Sequence, residues 1–273
     1  MKKNYVRWIL ALLITLSAAA YQRITGPTYP VRGSIEIGGK VVSYELLRSH
    51  GGETNQPVTL AFTDSSYKAY VFFKHYKTDE AWQKIPMQIK DGQLYAELPH
   101  QPPAGKLEYY ILLESADKQL TVPTETTVVT RFKGDVPATV LGPHIFFMFL
   151  AFFFSNLTAL EALARGKHFI RYTYITFGLL FIGGMILGPI VQKYAFDAYW
   201  TGIPFGYDLT DNKTLIAVLG WLLAVLAVWK QPKRKITRWL VILAAVLVLA
   251  VYSIPHSMMG SELDYNTMEV KTG

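Results

Sequence analysis

Four long uncharged and mostly apolar runs occupy the second half of the chain. They cover residues 136–160, 172–192, 214–229 and 239–261, and they are 25, 21, 16 and 23 residues long. About 20 apolar residues cross the hydrocarbon core of a bilayer, so three runs are long enough alone. The 16-residue run needs a few residues from the preceding Asp-Asn-Lys. The pattern predicts a transmembrane domain of four helices at 136–261.

A further apolar element begins the sequence. A positive segment at residues 1–7 is followed by an apolar run at 8–20 that ends in three alanines. This is the layout of a secretory signal peptide. An uncleaved anchor has the same layout, although the 15 residues between Arg7 and Arg23 are few for a full span. We interpret residues 1–22 as either a signal peptide or a signal anchor, and expect the next segment to be exported.

Between these apolar elements the pattern changes to short alternating stretches broken by Gly, Pro and Asp. Alternation with a period of two is typical of strands that bury one face. Gly38-Gly39 and Asp91-Gly92 have the composition of two-residue hairpin turns, which require positive φ. Within an exported domain at 30–133, seven or eight strands are predicted, with candidates at 34–37, 41–48, 58–63, 69–75, 85–89, 94–98, 107–113 and 126–132.

A strand, a Pro/Gly corner and a Tyr-bearing strand follow each other in the segment Met87 to Pro99 and the run Ala104-Gly-Lys-Leu-Glu-Tyr-Tyr110. In this order residues 31–133 resemble the fibronectin type III and early-set immunoglobulin-like domains of bacterial envelope proteins. The resemblance implies an antiparallel immunoglobulin-like sandwich and supplies no active site. The expected fold class is therefore an all-β immunoglobulin-like sandwich plus a four-helix transmembrane bundle, with an additional N-terminal signal or anchor helix.

The basic residues predict the orientation of the chain in the membrane. The chain has 27 Lys and Arg against 20 Asp and Glu, but residues 22–136 contain 13 of each. Eleven basic residues lie in residues 1–7, before the N-terminal apolar run, and in the short segments 165–171 and 230–238. Positive residues are enriched on the cytoplasmic side, so we expect a bacterial inner-membrane protein with residues 22–136, a loop at 194–212 and a tail at 262–273 outside the cytoplasm.

Composition and motifs limit the chemistry. The sequence has no cysteine, which excludes disulfides, thiol catalysis and Cys-ligated metals. It contains no phosphate-binding loop, nucleophile elbow, HExxH motif or dinucleotide fingerprint. Basic residues confined to the breaks between apolar runs do not form a nucleic-acid surface. We therefore expect a non-catalytic subunit or scaffold in the lipid bilayer that presents its exported domain to an envelope protein partner or a ligand.

The competing interpretation is a membrane redox component. His144 and His256 are predicted near the outer ends of the first and last bundle helices, where two imidazoles can hold a b-type haem. Met148 lies one turn after His144 and Met258 follows His256, which would supply copper ligands. The alternative for both histidines is an interfacial position, bonded to water, headgroups or a helix-end carbonyl.

The predicted loop at 194–212 is rich in aromatic and turn-forming residues and contains carboxylates. Trp200 is typical of the headgroup layer. We expect Asp211 to cap the helix that follows, and Asp208 to stabilise a turn in a similar way. In the redox interpretation these carboxylates and Asp197 join the two histidines, Glu262 and Asp264 in a quinone or cation site at the outer face.

Other features are interpreted as packing. Gly184 and Gly188 form a small-xxx-small motif that allows close helix contact, including contact between copies of the chain. Glu161 is expected to pair with Arg165, four residues later.

Histidines and tyrosines of the exported domain also have two interpretations. His50, His75 and His100 are expected in loops or at the surface, and the alternative is a metal cluster. The aromatic segments at 67–76 and 109–110 are expected in the core, and the alternative is a platform on which sugars stack.

Overall fold

The computed structural model describes residues 2–255 and 260–271. The chain forms two compact units, which we call the helix unit and the β unit. The described residues of the helix unit fall within Met1–Gly26 and Val136–Gly260, and those of the β unit fall within Pro27–Asp135 and Ser261–Lys271. Each unit therefore includes a segment from a far part of the sequence.

Among the described residues, the helix unit contains six α-helices and one π-helical segment. In chain order they are α1 (Lys2–Thr25), α2 (Ala138–Leu163), α3 (Phe169–Leu180), the π-helical segment (Phe181–Leu187), α4 (Gly188–Phe196), α5 (Leu209–Lys230) and α6 (Lys235–Ser253). Because α3, the π-helical segment and α4 are continuous, five helices in the described chain are long and apolar enough to cross a membrane. Their length and composition are compatible with a membrane protein.

Helix α1 belongs to the same packed unit as the later helices. It contacts α2 and α6. The Asn156 amide in α2 donates a buried hydrogen bond of 3.0 Å to the Thr15 hydroxyl, and the Gln22 amide donates to the Tyr252 carbonyl in α6 at 2.8 Å. The expected four-helix bundle with an additional N-terminal signal or anchor helix is therefore wrong, because α1 packs in the unit as a fifth helix.

The β unit has short strands. They are β1 (Val31–Ile37), β2 (Lys40–Leu46), β3 (Ser49–Gly51), β4 (Gln56–Leu60), β5 (Lys68–His75), β6 (Gln83–Pro86), β7 (Gln88–Lys90), β8 (Gln93–Leu98), β9 (Lys106–Glu114), β10 (Gln119–Val122), β11 (Val128–Lys133), β12 (Glu262–Asp264) and β13 (Glu269–Lys271). Both predicted hairpin turns are confirmed. In the turn joining β1 to β2, Gly38 and Gly39 have φ of 58° and 78°, and in the turn joining β7 to β8, Asp91 and Gly92 have φ of 52° and 74°.

The strands form several small sheets. The largest has the order β3-β11-β9-β5-β6, with β10 also paired to β9. Strands β4, β8 and β7 form a second sheet, and β1 with β2 and β12 with β13 form two-stranded sheets. Strand β3 pairs with β11 in parallel, with Ser49 opposite Arg131, while the other pairs of the largest sheet are antiparallel.

The expected antiparallel immunoglobulin-like sandwich is therefore wrong. The observed β unit has small sheets, one of them mixed, and it includes the hairpin β12–β13 from the end of the chain. Alternation of apolar residues locates a strand and its buried face. It does not give the partner strand or its direction, which depend on contacts between distant residues. One apolar core lies in this unit, and Ile37, Leu46, Tyr109 and Phe132 in it are fully buried.

Candidate functional site at one end of the helix unit

Four membrane-length helices approach each other around a small cavity in the helix unit. The cavity has a volume of about 20 Å³ and is lined by residues that include Met148 of α2, Leu180 of α3, Lys213 of α5 and Tyr252 of α6. This is space for about one water molecule. Of the residues predicted as functional, His144 and Met148 lie on α2 and Asp211 lies on α5, two of the helices that meet here. Asp197, Trp200 and Asp208 lie in the loop that precedes α5, so we take this end of the unit as the candidate site.

His144 is oriented by the π-helical segment. Its Nδ1 atom donates to the carbonyl oxygen of Gly183 at 2.9 Å. The same oxygen accepts the backbone N–H of Gly188, five residues later. Because a carbonyl only accepts, Nδ1 carries the hydrogen, and the neutral ring keeps its lone pair on Nε2. A carbonyl partner on one nitrogen is also how proteins orient metal-binding histidines.

Two glycines of the π-helical segment allow close helix packing. A Cβ atom on Gly183 would lie 2.9 Å from the Met148 sulfur, and one on Gly184 would lie 2.7 Å from the Thr214 methyl group. Both glycines are buried. Gly184 of the predicted small-xxx-small motif therefore packs against α5 of its own chain. The backbone N–H of Gly188, the other glycine of the motif, donates to the Gly183 carbonyl oxygen that also accepts from His144.

Asp211 stabilises the loop before α5. One of its carboxylate oxygens accepts from the backbone N–H of Thr201 at 2.6 Å, the Thr201 hydroxyl at 3.1 Å and the backbone N–H of Gly202 at 3.1 Å. The Gln192 amide donates to the same threonine hydroxyl at 2.7 Å. A carboxylate that accepts three hydrogen bonds from the loop at 201–202 fixes the shape of that loop.

The cap of α5 is Asp208 and not Asp211, so the prediction that Asp211 caps this helix is wrong. The Asp208 side chain accepts from the backbone N–H of Thr210 at 2.8 Å, which is N-cap geometry. Helix α5 begins at Leu209, five residues before the start expected from hydrophobicity. Asp211 therefore lies in its first turn, from which its side chain reaches the loop.

Lys213 is a buried cation at this end of the unit. Its ammonium group donates to the carbonyl oxygens of Ile254 at 2.8 Å and Pro255 at 3.1 Å. These residues directly follow α6, whose last carbonyl groups lack partners within the helix. A cation also interacts favourably with the negative end of a helix dipole. Lys213 thus connects the start of α5 to the end of α6.

The loop at 197–208 presents aromatic side chains to its surroundings. The Trp200 ring nitrogen donates to the Ile203 carbonyl at 3.1 Å, and Asp197 forms an exposed 2.6 Å ion pair with Lys193. Phe205 is 79% exposed and Tyr207 is 74% exposed. The loop therefore has a backbone fixed by Asp211 and an exposed aromatic surface.

The predicted ligand set is only partly within the described residues. His256 and Met258 lie outside them. His144 and Met148 both lie near Gly183. In the part of the chain that the structure describes, no group of three His, Asp or Glu residues has the arrangement needed to hold a metal ion.

Sequence reasoning missed the role of Lys213 and of the Gly183 carbonyl. A charged Asp-Asn-Lys triplet at the start of an apolar run was a usable signal, since charges at membrane depth need partners. The role of the Gly183 carbonyl could not be predicted from sequence. Whether a backbone carbonyl accepts a side-chain hydrogen bond depends on the local helix geometry and not on the residue type.

The other end of α2 carries a buried ion pair. Arg7 Nη1 of α1 lies 2.6 Å from Glu161 Oε2, and the two side chains are 16% and 5% exposed. The predicted pair between Glu161 and Arg165 is wrong. Helix α2 ends at Leu163 and Arg165 has a left-handed φ of 53°, so the two residues are not on one helix face.

No protein-family model matches the chain, and no curated protein sequence is significantly similar to it. The functional argument therefore rests on the residues and contacts described above.

Proposed function

We propose that this protein is a non-catalytic membrane subunit or scaffold that presents its β unit to another envelope protein. The proposal rests on the hydrogen-bond partners of the charged groups at the candidate site. Asp208, Asp211 and Lys213 bond to backbone atoms of their own chain. Charged groups that serve catalysis or transport face a substrate or an ion path, whereas these three stabilise a loop and two helix ends.

In this proposal the β unit lies outside the cytoplasm of a bacterial cell. The basic segments at 165–171 and 230–238 support that orientation, because they connect α2 to α3 and α5 to α6 and would lie in the cytoplasm. Residues 22–136, which include most of the β unit, contain equal numbers of basic and acidic residues and so add no net positive charge.

Single cysteines test the orientation. The chain has no cysteine, so Ala164→Cys and Thr267→Cys each introduce the only thiol, and both positions are exposed. Gly166 is unsuitable, since a Cβ there would collide with the Glu161 carboxylate. We expect a membrane-impermeant maleimide to label Thr267→Cys in spheroplasts and Ala164→Cys only after lysis. The reverse pattern would contradict the orientation.

Exposed apolar side chains on the β unit are proposed as partner contacts. Val41 is 76% exposed and Ile89 is 59% exposed, although strands normally carry polar residues on a solvated face. A photoreactive amino acid at each position should form one discrete protein adduct in membranes, identifiable by mass spectrometry. Leu223, an exposed residue of α5, is the matched control and should form lipid adducts. Adducts absent from both β-unit positions, together with a monomer in native mass spectra, would contradict a subunit role.

A redox role is the second candidate, and the orientation of His144 favours it. The Gly183 carbonyl holds Nδ1 and leaves Nε2 with the lone pair that haem iron or copper would use. The purified protein should then show a Soret band or stoichiometric copper that His144→Ala removes. A colourless, metal-free protein, purified from cells supplied with haem precursor and copper, would reject this candidate in favour of the scaffold.

A further inference from the structure

A second cavity lies entirely within the β unit. It has a volume of about 670 Å³ and is bounded by the segment 75–80 after β5, the Pro corner at 101–102 and the hairpin β12–β13. Sites for small molecules typically have volumes of about 300–1,000 Å³. Three segments that are distant in sequence therefore border an open cleft of suitable size for a small ligand.

The hairpin that forms one wall is firmly attached. The Tyr265 hydroxyl accepts from the Lys106 backbone N–H at 2.8 Å and donates to the Lys106 carbonyl at 3.0 Å. The Lys106 ammonium forms a 2.6 Å ion pair with Glu262, and the Leu263 N–H donates to the Ala104 carbonyl at 3.2 Å. The cavity is thus bounded by a fixed wall on this side.

His75 is held at the cavity by a carboxylate. Its Nδ1 atom lies 3.0 Å from Glu80 Oε2, and the other carboxylate oxygen accepts the His75 backbone N–H. Burial acts to raise the pKa of Glu80. The hydrogen bonds from His75 and the charges of His75 and Lys74 together have a larger effect in the opposite direction. The pKa of Glu80 therefore lies below its ordinary value, and the carboxylate is ionised at neutral pH. With Nδ1 occupied, His75 has Nε2 available for a ligand, and its ring centre lies 4.0 Å from that of Tyr265.

The remaining lining combines free polar groups with an apolar surface. Asp79 and Asn266 also line the cavity, and among the described residues their side chains form no hydrogen bond or ion pair within the chain. Tyr265, Pro102 and Met268 add ring and aliphatic surface. Hydroxyl groups of a ligand can bond the first set while its C–H groups pack on the second.

The charges of the lining disfavour a strongly charged ligand. Lys77 is 3.3 Å from Glu262, and the Glu80 carboxylate is bonded to His75. Because Glu262 also pairs with Lys106, the two lysines nearly balance Glu262, Glu80 and Asp79, and one net negative charge remains when His75 is neutral. A neutral molecule with several hydroxyl groups fits this set better than a phosphate or a carboxylate, which Asp79 would repel.

We propose that this cavity binds an uncharged saccharide, with hydroxyl groups on Asp79, Asn266 and His75 Nε2 and a C–H face on the Tyr265 ring. The site differs from the sugar platform considered from sequence. Tyr109 is fully buried in the core, and the aromatic contact comes from the C-terminal hairpin instead.

Calorimetric titration of the full chain in phospholipid nanodiscs tests the proposal, because sugar-headed detergents would compete. The probes are maltotriose, cellotriose and N,N′,N″-triacetylchitotriose, which are uncharged, with trialanine as the peptide comparison. We expect saturable binding of at least one trisaccharide and none of trialanine. Asp79→Ala and Asn266→Ala should each weaken that binding about fivefold to tenfold, since each removes one ligand hydrogen bond.

Asp117→Ala is the matched control, because Asp117 is an exposed turn carboxylate outside the cavity. It should bind as the unsubstituted protein does, and equal thermal unfolding of the three variants would show that the β unit remains folded. Absence of binding by all three trisaccharides, equal binding by all variants, or preferential binding of trialanine would overturn the proposal. Each result leaves the partner crosslinking and the haem and copper assays unaffected.

Discussion

The N-terminal helix and the C-terminal hairpin are attached to their respective units in two different ways. Helix α1 is joined to α2 by the Arg7–Glu161 ion pair, in which the side chains are 16% and 5% exposed. The hairpin β12–β13 is joined to β9 by the Lys106–Glu262 pair, whose side chains are 18% and 23% exposed, and by the two Tyr265 hydrogen bonds. Both segments are parts of a packed unit, but water reaches the second attachment more easily.

The difference has an energetic consequence. Removing one partner of a buried pair leaves a charge without compensation, which costs about 3–5 kcal/mol. Pairs that solvent reaches contribute about 0–1 kcal/mol. We therefore expect the loss of one ion-pair partner to destabilise the helix unit strongly, whereas the hairpin should depend mainly on the neutral hydrogen bonds of Tyr265.

The largest predicted effect concerns whether α1 remains in the mature protein. Thr15, Gln22 and Arg7 of α1 contact α2 and α6 through polar groups, and cleavage after Ala20 would remove two of these contacts. We expect the intact mass of the membrane protein to include the first 20 residues. If the measured mass lacks the first 20 residues, Arg7 is absent and Glu161 has a different partner. The contrast between the attachments of α1 and of the hairpin would then not apply to the mature protein.

The next largest effect is expected for Glu161→Gln. The substitution keeps the shape of the side chain and leaves Arg7 buried beside a neutral group, so the free energy of unfolding should fall by about 3–5 kcal/mol. Denaturant titration of the detergent-solubilised protein measures it.

Asp197→Asn is the matched control for that substitution. It neutralises a pair of the same 2.6 Å length whose carboxylate side chain is 79% exposed, so we expect a loss below about 0.5 kcal/mol. Equal losses in the two variants would contradict the contrast between buried and exposed pairs.

These contacts indicate how far sequence reasoning extends. Length and hydrophobicity located the four later membrane helices, and residue types located both hairpin turns, because each property depends on neighbouring residues. The partner of Glu161 is 154 positions away at Arg7, and the pairing of β3 with β11 is also distant. Such pairs leave no local pattern, so the packed role of α1 and the sheet arrangement were missed.

The candidate site divides in the same way. Asp208 and Asp211 were recognised as polar residues before a helix, since N-cap composition is local. Their roles were assigned to the wrong residue because α5 begins earlier than its apolar run does. The orientation of His144 depends on a carbonyl 39 positions later, and the saccharide cavity depends on a hairpin from the end of the chain.

A smaller effect is predicted for Tyr265→Phe. The change removes two hydrogen bonds to Lys106 and keeps the ring that lies against His75. The free energy for opening the hairpin should fall by about 1–3 kcal/mol, the cost of leaving backbone groups without partners. Hydrogen exchange of residues 261–271 measures it. Tyr207→Phe, at an exposed position, is the control, and an unchanged hairpin in Tyr265→Phe would assign the attachment to the ion pair instead.

The smallest effect is a pH dependence of the hairpin through Glu262. Burial acts to raise the pKa of this carboxyl. The hydrogen bonds and charges of Lys106 and Lys77 together have a larger effect in the opposite direction, so the pKa lies below the ordinary value of 4.5. A lowered pKa in the folded state means that the ionised form stabilises the hairpin above the ordinary value, and that this contribution is lost as the pH falls through the lowered pKa. Exchange of residues 261–271, corrected for intrinsic rates, should therefore be constant from pH 7 to about pH 5 and increase slightly below it.

Glu262→Gln removes this ionisable group and leaves the Asp264–Lys271 pair of the hairpin in place, so it should exchange faster than the unsubstituted protein at neutral pH and show a smaller further increase at low pH. Because solvent reaches both partners, we expect the two proteins to differ less at pH 7 than Tyr265→Phe differs from the unsubstituted chain. If Glu262→Gln instead opened the hairpin more than Tyr265→Phe, the ion pair would be the main attachment, and the two terminal segments would be held by the same kind of interaction.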